Sequence, residues 1–586
     1  MNISKKKSSL YRQKVILTIS ISILFLVLIK FFDITILQHD RLKTNSYANS
    51  LRKIYHNAPR GIIYDRNKTP IVDNRPTYDL KLTPFDVTDK FNYNLLSKLI
   101  ELDKDTLKAR ISKSKKKFKV FDPILLKRHV NFQDISKIQE YKLEFPGLFF
   151  SEFPARTYPS DAKATHILGY LREVADKMLK TDPCNSKYKL GDVYGFTGIE
   201  RVYECDLRGV DGISYHLYDV KGLDHGIYDF EENYPIVNGE NIFLTIDVGL
   251  QEYAESLMEN KKGSIIAMDP NSGDILAMIS SPDYNLQSFT GPIPSKLWDS
   301  WNSDNDRPLI NRAIQGLYPP GSVLKLIMAA YAIDNNIVSK DWKVDCKGTY
   351  DFYNQKYSCW NEDGHGPTNL TESIKHSCNI YYYELISKIN IDDWFLMAES
   401  FGFNKISNID LPSESSGIIP DRKYMNNKYG RHGWAQGHLL NFVIGQGDVL
   451  ATPLQVLQMI NLIATNGKTF EPHLILNKKT IPMTLDLKKS TWDIINKSMW
   501  DVVNSTGGTG WRANKSSNKI WGKTGTSQNP HGEDHSWFSG YTKINNNIMS
   551  LTVIIENGGK GSGQGSVIAG KLFEYYSTMD IINENN

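Results

Sequence analysis

The stretch VILTISISILFLVLI, from Val15 to Ile29, carries no charge, and Phe31, Phe32, Ile34, Ile36 and Leu37 continue it past Lys30. A membrane-spanning helix needs about 20 mostly apolar residues. The uncharged run alone is short of that. It reaches the length if Lys30 and Asp33 sit at the far interface, where a lysine can snorkel. Lys5, Lys6, Lys7, Arg12 and Lys14 precede the run, and a basic flank stays cytoplasmic. The expectation is a cytoplasmic tail over 1–14, an uncleaved single-pass anchor over 15–37, and a bulk lying outside the cytoplasmic membrane. A cleaved signal peptide is the rival reading, but no small-x-small cleavage site stands out. No second comparable run follows.

The chain has 586 residues, enough for more than one domain. A net charge of +4 is too small to argue for a nucleic-acid partner, and five cysteines are too few for a disulfide scaffold. After a polar linker, APRGIIYDRNKTPIVDN (58–74) reads as a hairpin turned at Asp-Arg-Asn. The pattern is then mixed to about Asn238, and SKSKKKFKV (112–120) is read as a solvated charged face.

From Asn241 a strand leads into an amphipathic helix. GSIIAMDPNSGDILAMIS (263–280) is a hairpin by its Asp-Pro-Asn-Ser-Gly turn. Helical patterns fill about 322–480. IWGKTGTSQ, SWFSGYT and NIMSLTVIIEN are strand-like, and a helical tail covers about 567–579. Strands at both ends with helices between predict an α+β domain whose sheet gathers the two ends.

GLYPPGSVLK (316–325) breaks the backbone and then sets Ser322 and Lys325 one helical turn apart. A serine hydroxyl becomes a nucleophile when a base takes its proton, and a buried lysine of lowered pKa can be that base. A helix start at Ser322 would also aim free N–H groups at developing negative charge. Alone, Ser-x-x-Lys is an ordinary N-cap pattern. HSCN adds Ser377 and Asn379, and WGKTGTS adds Lys523, Thr524, Gly525 and Thr526 on a strand-like segment. Each triplet is common; the ordered set is not.

On these motifs the chain resembles the class B penicillin-binding proteins, most closely the elongation-type penicillin-binding protein 2 group. PRGIIYDRN (59–67), RTYPSDAKATHILGYL (156–171), GFTGIERVYECDLRGVDG (195–212), GHG (364–366), IGQGDVLATPLQ (444–455) and GGTG (507–510) extend the likeness over most of the chain. Val323, where Thr is frequent, and Asn379, where Asp is frequent, are small departures. The resemblance implies a β-rich pedestal over 38–240 and a transpeptidase domain over 241–586, an antiparallel sheet with helices on both sides.

It further implies that Ser322 is acylated by a peptidoglycan stem peptide, with Lys325 as base. Ser377 and Lys523 would relay protons, Asn379 would position the donor, and Thr524 and Thr526 would bind its carboxylate. The N–H groups of Ser322 and Thr526 would form an oxyanion hole. β-Lactams would acylate the same serine. A SEDS-family glycosyltransferase and other elongation-complex membrane proteins would be partners. The GQG segment (445–447) is expected to pack beside the site. ENGGKGSGQGS (556–566) lacks a phosphate-loop pattern and reads as a strand-to-helix turn.

Cys346, Cys359, His365 and Cys378 form C-x12-C-x5-H-x12-C. Thiolates and imidazole suit a structural zinc ion, although the short Cys-x2-Cys knuckle is missing. One disulfide plus a free thiol is the alternative in an oxidising compartment. The resembled group carries a metal site at matching places, which favours zinc, with Cys378 facing away from the cleft. Whether Cys184 and Cys205 pair is open. His531 and His535 are assigned to a surface loop.

Among rival functions, a β-lactamase fits poorly with the anchor and the large region before the serine. A β-lactam sensor should carry several spans and a signalling domain. A division-type transpeptidase is the nearest rival, and the cysteine pattern with GHG favours the elongation type.

Overall fold

The apolar run is one helix, α1 (Ile3–Phe32), continued by a π-helical turn over Asp33–Leu37. Tyr11–Leu37 is 27 residues long; an 18-residue stretch within it has a mean hydropathy of 2.7, and none of that stretch is buried in the protein. At about 1.5 Å per residue such a helix reaches about 40 Å, more than a hydrocarbon core of about 30 Å. Lys30 and Asp33, expected at the far interface, pair at 2.7 Å. The computed structural model describes residues 3–39, 51–116, 120, 123–174, 184, 188–189, 191–218, 224–229, 231–291, 293–515 and 519–584. Of the expected linker between the anchor and Ala58, residues 40–50 lie outside them, as does part of the charged run, 117–119, while Leu51–His56 is a strand and not linker.

Beyond α1 the chain packs as two units. The first comprises 1–58, 76–154 and 210–238; the second comprises 59–75, 155–209 and 239–586. In the first, β1 (Leu51–His56), β2 (Gly212–Tyr218) and β3 (Asp224–Tyr228) form an antiparallel sheet in that order. A separate core gathers Leu80, Leu82, Leu96, Leu107, Leu126 and Phe145.

In the second unit the predicted hairpin is present: Ile63 pairs with Val72 and Tyr64 with Pro70. Asp65 Oδ1 closes its turn by accepting the N–H groups of Asn67 (2.9 Å) and Thr69 (2.7 Å). Beside it lies a buried ion network. Arg60 Nη2 meets Glu200 Oε2 at 2.6 Å and Glu204 Oε2 at 2.7 Å, and Arg156 Nε meets Glu200 Oε1 at 2.8 Å. Charges taken from water this completely survive only when paired. The network therefore fastens three segments distant in sequence, those around 60, 156 and 200. Cys184 and Cys205, left open by the sequence, form a disulfide.

The main sheet uses β4 (Gly263–Met268), β5 (Ile275–Ser281), β10 (Ile520–Ser527), β11 (His535–Ile544) and β12 (Asn547–Ile555). Its order is β5-β4-β12-β11-β10, antiparallel throughout, so both ends of the domain share one sheet as expected. β4 is buried along its whole length. Ile265 and Ala267 enter one hydrophobic core, Ile266 and Met268 another, which explains why the strand reads as a continuous apolar run.

The helices are α2 (Val248–Leu257), α3 (Lys325–Asp334), α4 (Leu370–Lys375), α5 (Asn379–Ile386), α6 (Pro453–Ala464), α7 (Lys489–Asn504) and α8 (Gln564–Glu584). α2 and α8 pack together against the sheet, and α6 lies against β4, β11 and β12. α6 is buried at every position and starts with a capping box of Thr452 and Gln455.

Two expectations need correction. The 322–480 region is not helical throughout. β6 (Val344–Cys346) pairs with β9 (Gly366–Thr368), and β7 (Thr349–Phe352) with β8 (Gln355–Ser358). Strands of three or four residues are too short to leave a period in the sequence. The tail helix, placed at about 567–579, runs over Gln564–Glu584.

Candidate active site

Ser322 was expected at the start of an α-helix. It lies instead in a 3₁₀ turn, Gly321–Leu324, and the α-helix proper begins at Lys325. Pro319 and Pro320 have no N–H to give, so outside groups must hold the approach. Tyr318 exchanges both backbone hydrogen bonds with Ala451, at 3.0 and 2.9 Å. Ser527 Oγ donates to the Pro319 carbonyl. Gly321 N donates to Gly445 O at 2.9 Å.

Glycine is required at both ends of that last bond. Gly321 (φ 58°) and Gly445 (φ 69°) are left-handed. A Cβ on Gly321 would lie 2.5 Å from Thr526 O, and one on Gly445 2.2 Å from Gly321 O.

Lys325, on α3, is wholly buried. Its Nζ donates to the Ser377 carbonyl (2.8 Å) and Asn379 Oδ1 (2.7 Å), with Ser377 Oγ at 3.4 Å. Among the described residues these bonds go to Ser377 and Asn379 and not to Ser322. The Tyr382 ring lies 5.4 Å away. Burial lowers the Lys325 pKa to about 8, against the opposing pull of the neighbouring cysteines.

Lys523, on β10, donates to Ser377 Oγ at 3.0 Å and to Thr524 O at 2.8 Å. It too is wholly buried; burial, and then the charge of Lys325, hold its pKa well below the usual lysine range. Ser377 sits between α4 and α5 at φ 54°, which turns its hydroxyl toward both lysines.

β10 is the edge of the main sheet. The Thr526 carbonyl accepts from Gln446 Nε2 at 2.9 Å, so this residue's N–H, on the same side of the strand, also points away from β11. Thr524 Oγ1 donates to Thr509 Oγ1 at 2.8 Å, and Gly561 N donates to Thr526 Oγ1 at 2.9 Å. Gly525 leaves room for Val323 and the Pro320 carbonyl; a Cβ would lie 2.8 Å from Val323 Cγ2.

Sequence reasoning missed Thr509, Gln446 and Gly561. They stand in the quoted GGTG, GQG and ENGGKGSGQGS segments, but nothing in the spacing tells which catalytic motif each one reaches.

Cys346, Cys359, His365 and Cys378 converge behind this site, with their ligand atoms all within 4.8 Å of one another. The three cysteines are buried and free. His365 Nδ1 lies 3.4 Å from Cys346 Sγ and 3.6 Å from Cys359 Sγ. His365 Nε2 is buried and, among the described residues, has no hydrogen-bond partner. A hydrogen bond from Cys378, then one from His365, holds the Cys359 thiol well below its ordinary range. The cluster touches the cleft directly, since Asn379 N donates to Cys359 Sγ at 3.5 Å. His531 is exposed, and His535 opens β11 opposite Ser527.

This fold and site define a class. The chain belongs to the penicillin-binding transpeptidases: residues 263–575 match the penicillin binding protein transpeptidase domain, and residues 55–244 match the penicillin-binding protein dimerisation domain. Within that class it is similar to the peptidoglycan D,D-transpeptidase MrdA of Haemophilus influenzae, at 30% identity covering 93% of this chain and 88% of that protein. Among solved structures, penicillin-binding protein 2 in its complex with MreC from Helicobacter pylori superposes with a TM-score of 0.78 at 26% identity, covering 90% of this chain and 99% of that one. A chain of a peptidoglycan synthase complex described as coordinating polymerization and crosslinking gives 0.72 at 25% identity, covering 97% and 98%.

Proposed function

We propose that Ser322 is the acylated nucleophile of this chain, which is an elongation-type peptidoglycan D,D-transpeptidase. The convergence of Lys325, Ser377, Asn379 and Lys523 carries the assignment. A neutral amine has two N–H groups. Those of Lys325 are taken by Ser377 O and Asn379 Oδ1, so its lone pair is free for the Ser322 proton.

Ser322 Oγ then attacks the carbonyl of the penultimate D-alanine of a stem peptide. The N–H groups of Ser322 and Thr526 hold the oxyanion, and Thr524 and Thr526 hold the terminal carboxylate. As the tetrahedral intermediate collapses, the C–N bond breaks and the leaving amine takes a proton through Ser377, which Lys523 polarises. An amine of a neighbouring stem attacks the acyl-serine and restores Ser322. A β-lactam enters the same first step.

Cys346, Cys359, His365 and Cys378 fit a structural zinc ion. With Zn–S near 2.3 Å and Zn–N near 2.0–2.1 Å, a tetrahedral ion sets its sulfur and nitrogen ligands about 3.6 Å apart, against separations of 3.4 and 3.6 Å here. The ion would neutralise the thiolates and hold the segment carrying Ser377 and Asn379.

The basic flank before α1 favours a cytoplasmic N-terminus, and the Cys184–Cys205 disulfide favours an oxidising compartment for the bulk. The MreC complex of the related protein and the synthase complex support partners in the elongation machinery; the polymerising partner proposed for this chain is a SEDS-family glycosyltransferase.

The test is covalent labelling of the full chain with a fluorescent penicillin and mass mapping of the adduct. A lasting adduct on Ser322, lost in Ser322→Ala, is expected. An adduct on another residue refutes the nucleophile, and rapid hydrolysis of the adduct indicates a β-lactamase.

A further inference from the structure

Glu556 directly follows β12 and opens the glycine-rich turn into α8. Its Oε1 accepts from Tyr318 Oη at 2.7 Å and from Arg312 Nε at 2.8 Å. Its backbone N–H is bound to Lys262 O at 2.8 Å. The Arg312 side chain is 7% exposed and that of Glu556 19%. Arg312 is also held by the carbonyls of Asp306 (2.5 Å) and Arg307 (3.3 Å). Tyr318 is buried, with its ring edge-on to His535 and Trp537.

Tyr318 stands four residues before the nucleophile, and the two prolines between them cannot be held by N–H bonds of their own. Among the described residues, the charged side chains on this approach are Glu556, which accepts the Tyr318 hydroxyl, and its partner Arg312 beside the same hydroxyl. Five residues on, Gly561 N anchors Thr526 Oγ1. That bond occupies a lone pair of the Thr526 hydroxyl and leaves its proton to be donated to a ligand. One short turn therefore reaches both walls of the cleft: the approach to Ser322 and the hydroxyl facing it.

We infer that Glu556 is a positioning residue for acylation, acting through Tyr318 to fix where Ser322 Oγ stands relative to Lys325 and Thr526. The inference rests on Ser322 being the nucleophile. A displacement of 1 Å at a reacting atom can cost about 100-fold in rate, so slackening this one tie should slow the chemical step without changing ligand binding.

The experiment measures the acylation rate constant and the preceding dissociation constant separately. It uses stopped-flow labelling of the full chain in detergent with a fluorescent penicillin, well below each variant's melting temperature and normalised to the fraction that labels. Tyr318→Phe removes the bond but keeps the Arg312–Glu556 pair, so it should fold. Both Tyr318→Phe and Glu556→Ala should lower the acylation rate constant about tenfold or more with the dissociation constant unchanged. Their double variant should be no slower than the worse single one, since both cut the same link. Glu556→Gln keeps the acceptor oxygen and should recover most of the rate. An unchanged rate constant in Tyr318→Phe, with only stability altered, overturns the inference, as does a double variant whose losses multiply. If the unsubstituted chain does not label at Ser322, the nucleophile assignment itself fails, a result distinct from either.

Discussion

Lys325 and Lys523 reach one hydroxyl: Ser377 Oγ lies 3.4 Å from Nζ of the first and 3.0 Å from Nζ of the second. Two ammonium groups so close and so buried repel each other, and each charged form pays for lost hydration. The site therefore favours at least one neutral amine, which is the form a base requires.

The pH dependence follows. Burial brings the Lys325 pKa to about 8. Acylation by penicillin should rise about tenfold per pH unit well below that value and level off above it. A profile that falls as pH rises from about 6 to 8 would remove Lys325 from the role of base. Stability has the same sign. Both lysines bind protons more weakly folded than unfolded, so the unfolded chain holds more protons and stability rises as pH climbs through about 8 toward the ordinary lysine range. Denaturant melts across that window check this.

Replacing Lys325 by Ala should slow acylation about 10²–10⁴-fold, the usual worth of a general base. Replacing Asn379 by Ala leaves one Lys325 N–H without its acceptor and should slow acylation less. Equal losses in the two variants would mean that Asn379 does more than orient the lysine.

Protein purified without added metal should carry about one zinc per chain, with Cys346, Cys359 and Cys378 all reduced in thiol counting under non-reducing denaturation. His365→Ala should lower the melting temperature and slow acylation, because the cluster supports the segment that carries Ser377 and Asn379. Metal-free protein with a disulfide between two of these cysteines would refute the zinc assignment.

Arg60→Ala leaves Glu200 short of one partner and Glu204 without its guanidinium, both buried. Breaking such a network from one side costs about 3–5 kcal/mol. Differential scanning calorimetry should show the loss, while Arg60→Lys should recover only part of it, since one ammonium cannot reproduce the two forked contacts of Arg60.

Gly445→Ala places a Cβ 2.2 Å from the Gly321 carbonyl in a left-handed backbone. A cost above about 1–2 kcal/mol is expected from the conformation alone, and the push falls on the residue before Ser322. Acylation should slow along with the stability loss. A folded variant of unchanged rate would show that Gly321 does not need this contact.

Much of the site was readable in the linear chain because each catalytic motif is local. Ser322 and Lys325 belong to one turn, Ser377 and Asn379 to another, and Lys523 to Thr526 to one strand; residues three apart on a helix or alternating on a strand are related by backbone geometry alone. The sheet that gathers both ends was readable for the same reason, from hairpin turns and apolar runs. The cluster of Cys346, Cys359, His365 and Cys378 was legible as a set of residue types, but the short strands that bring it together were not, since elements of three or four residues carry no period.

Sequence by itself thus determined the apolar N-terminal helix, the strands at the two ends of the transpeptidase domain, and which side chains have the chemistry for acyl transfer. Tertiary structure decided how those side chains meet. It gave Lys325 partners in Ser377 and Asn379, put Ser322 in a 3₁₀ turn rather than an α-helix, and packed 59–75 and 155–209 with 239–586. It also chose the supports that no motif announces: Thr509 beneath Thr524, Gln446 on Thr526, and Glu556 on Tyr318. The physical reason is range. Local motifs are set by backbone geometry over a few residues. A buried carboxylate or hydroxyl must instead find whichever partner the packed chain brings within about 3 Å, and sequence separation says nothing about which one that is.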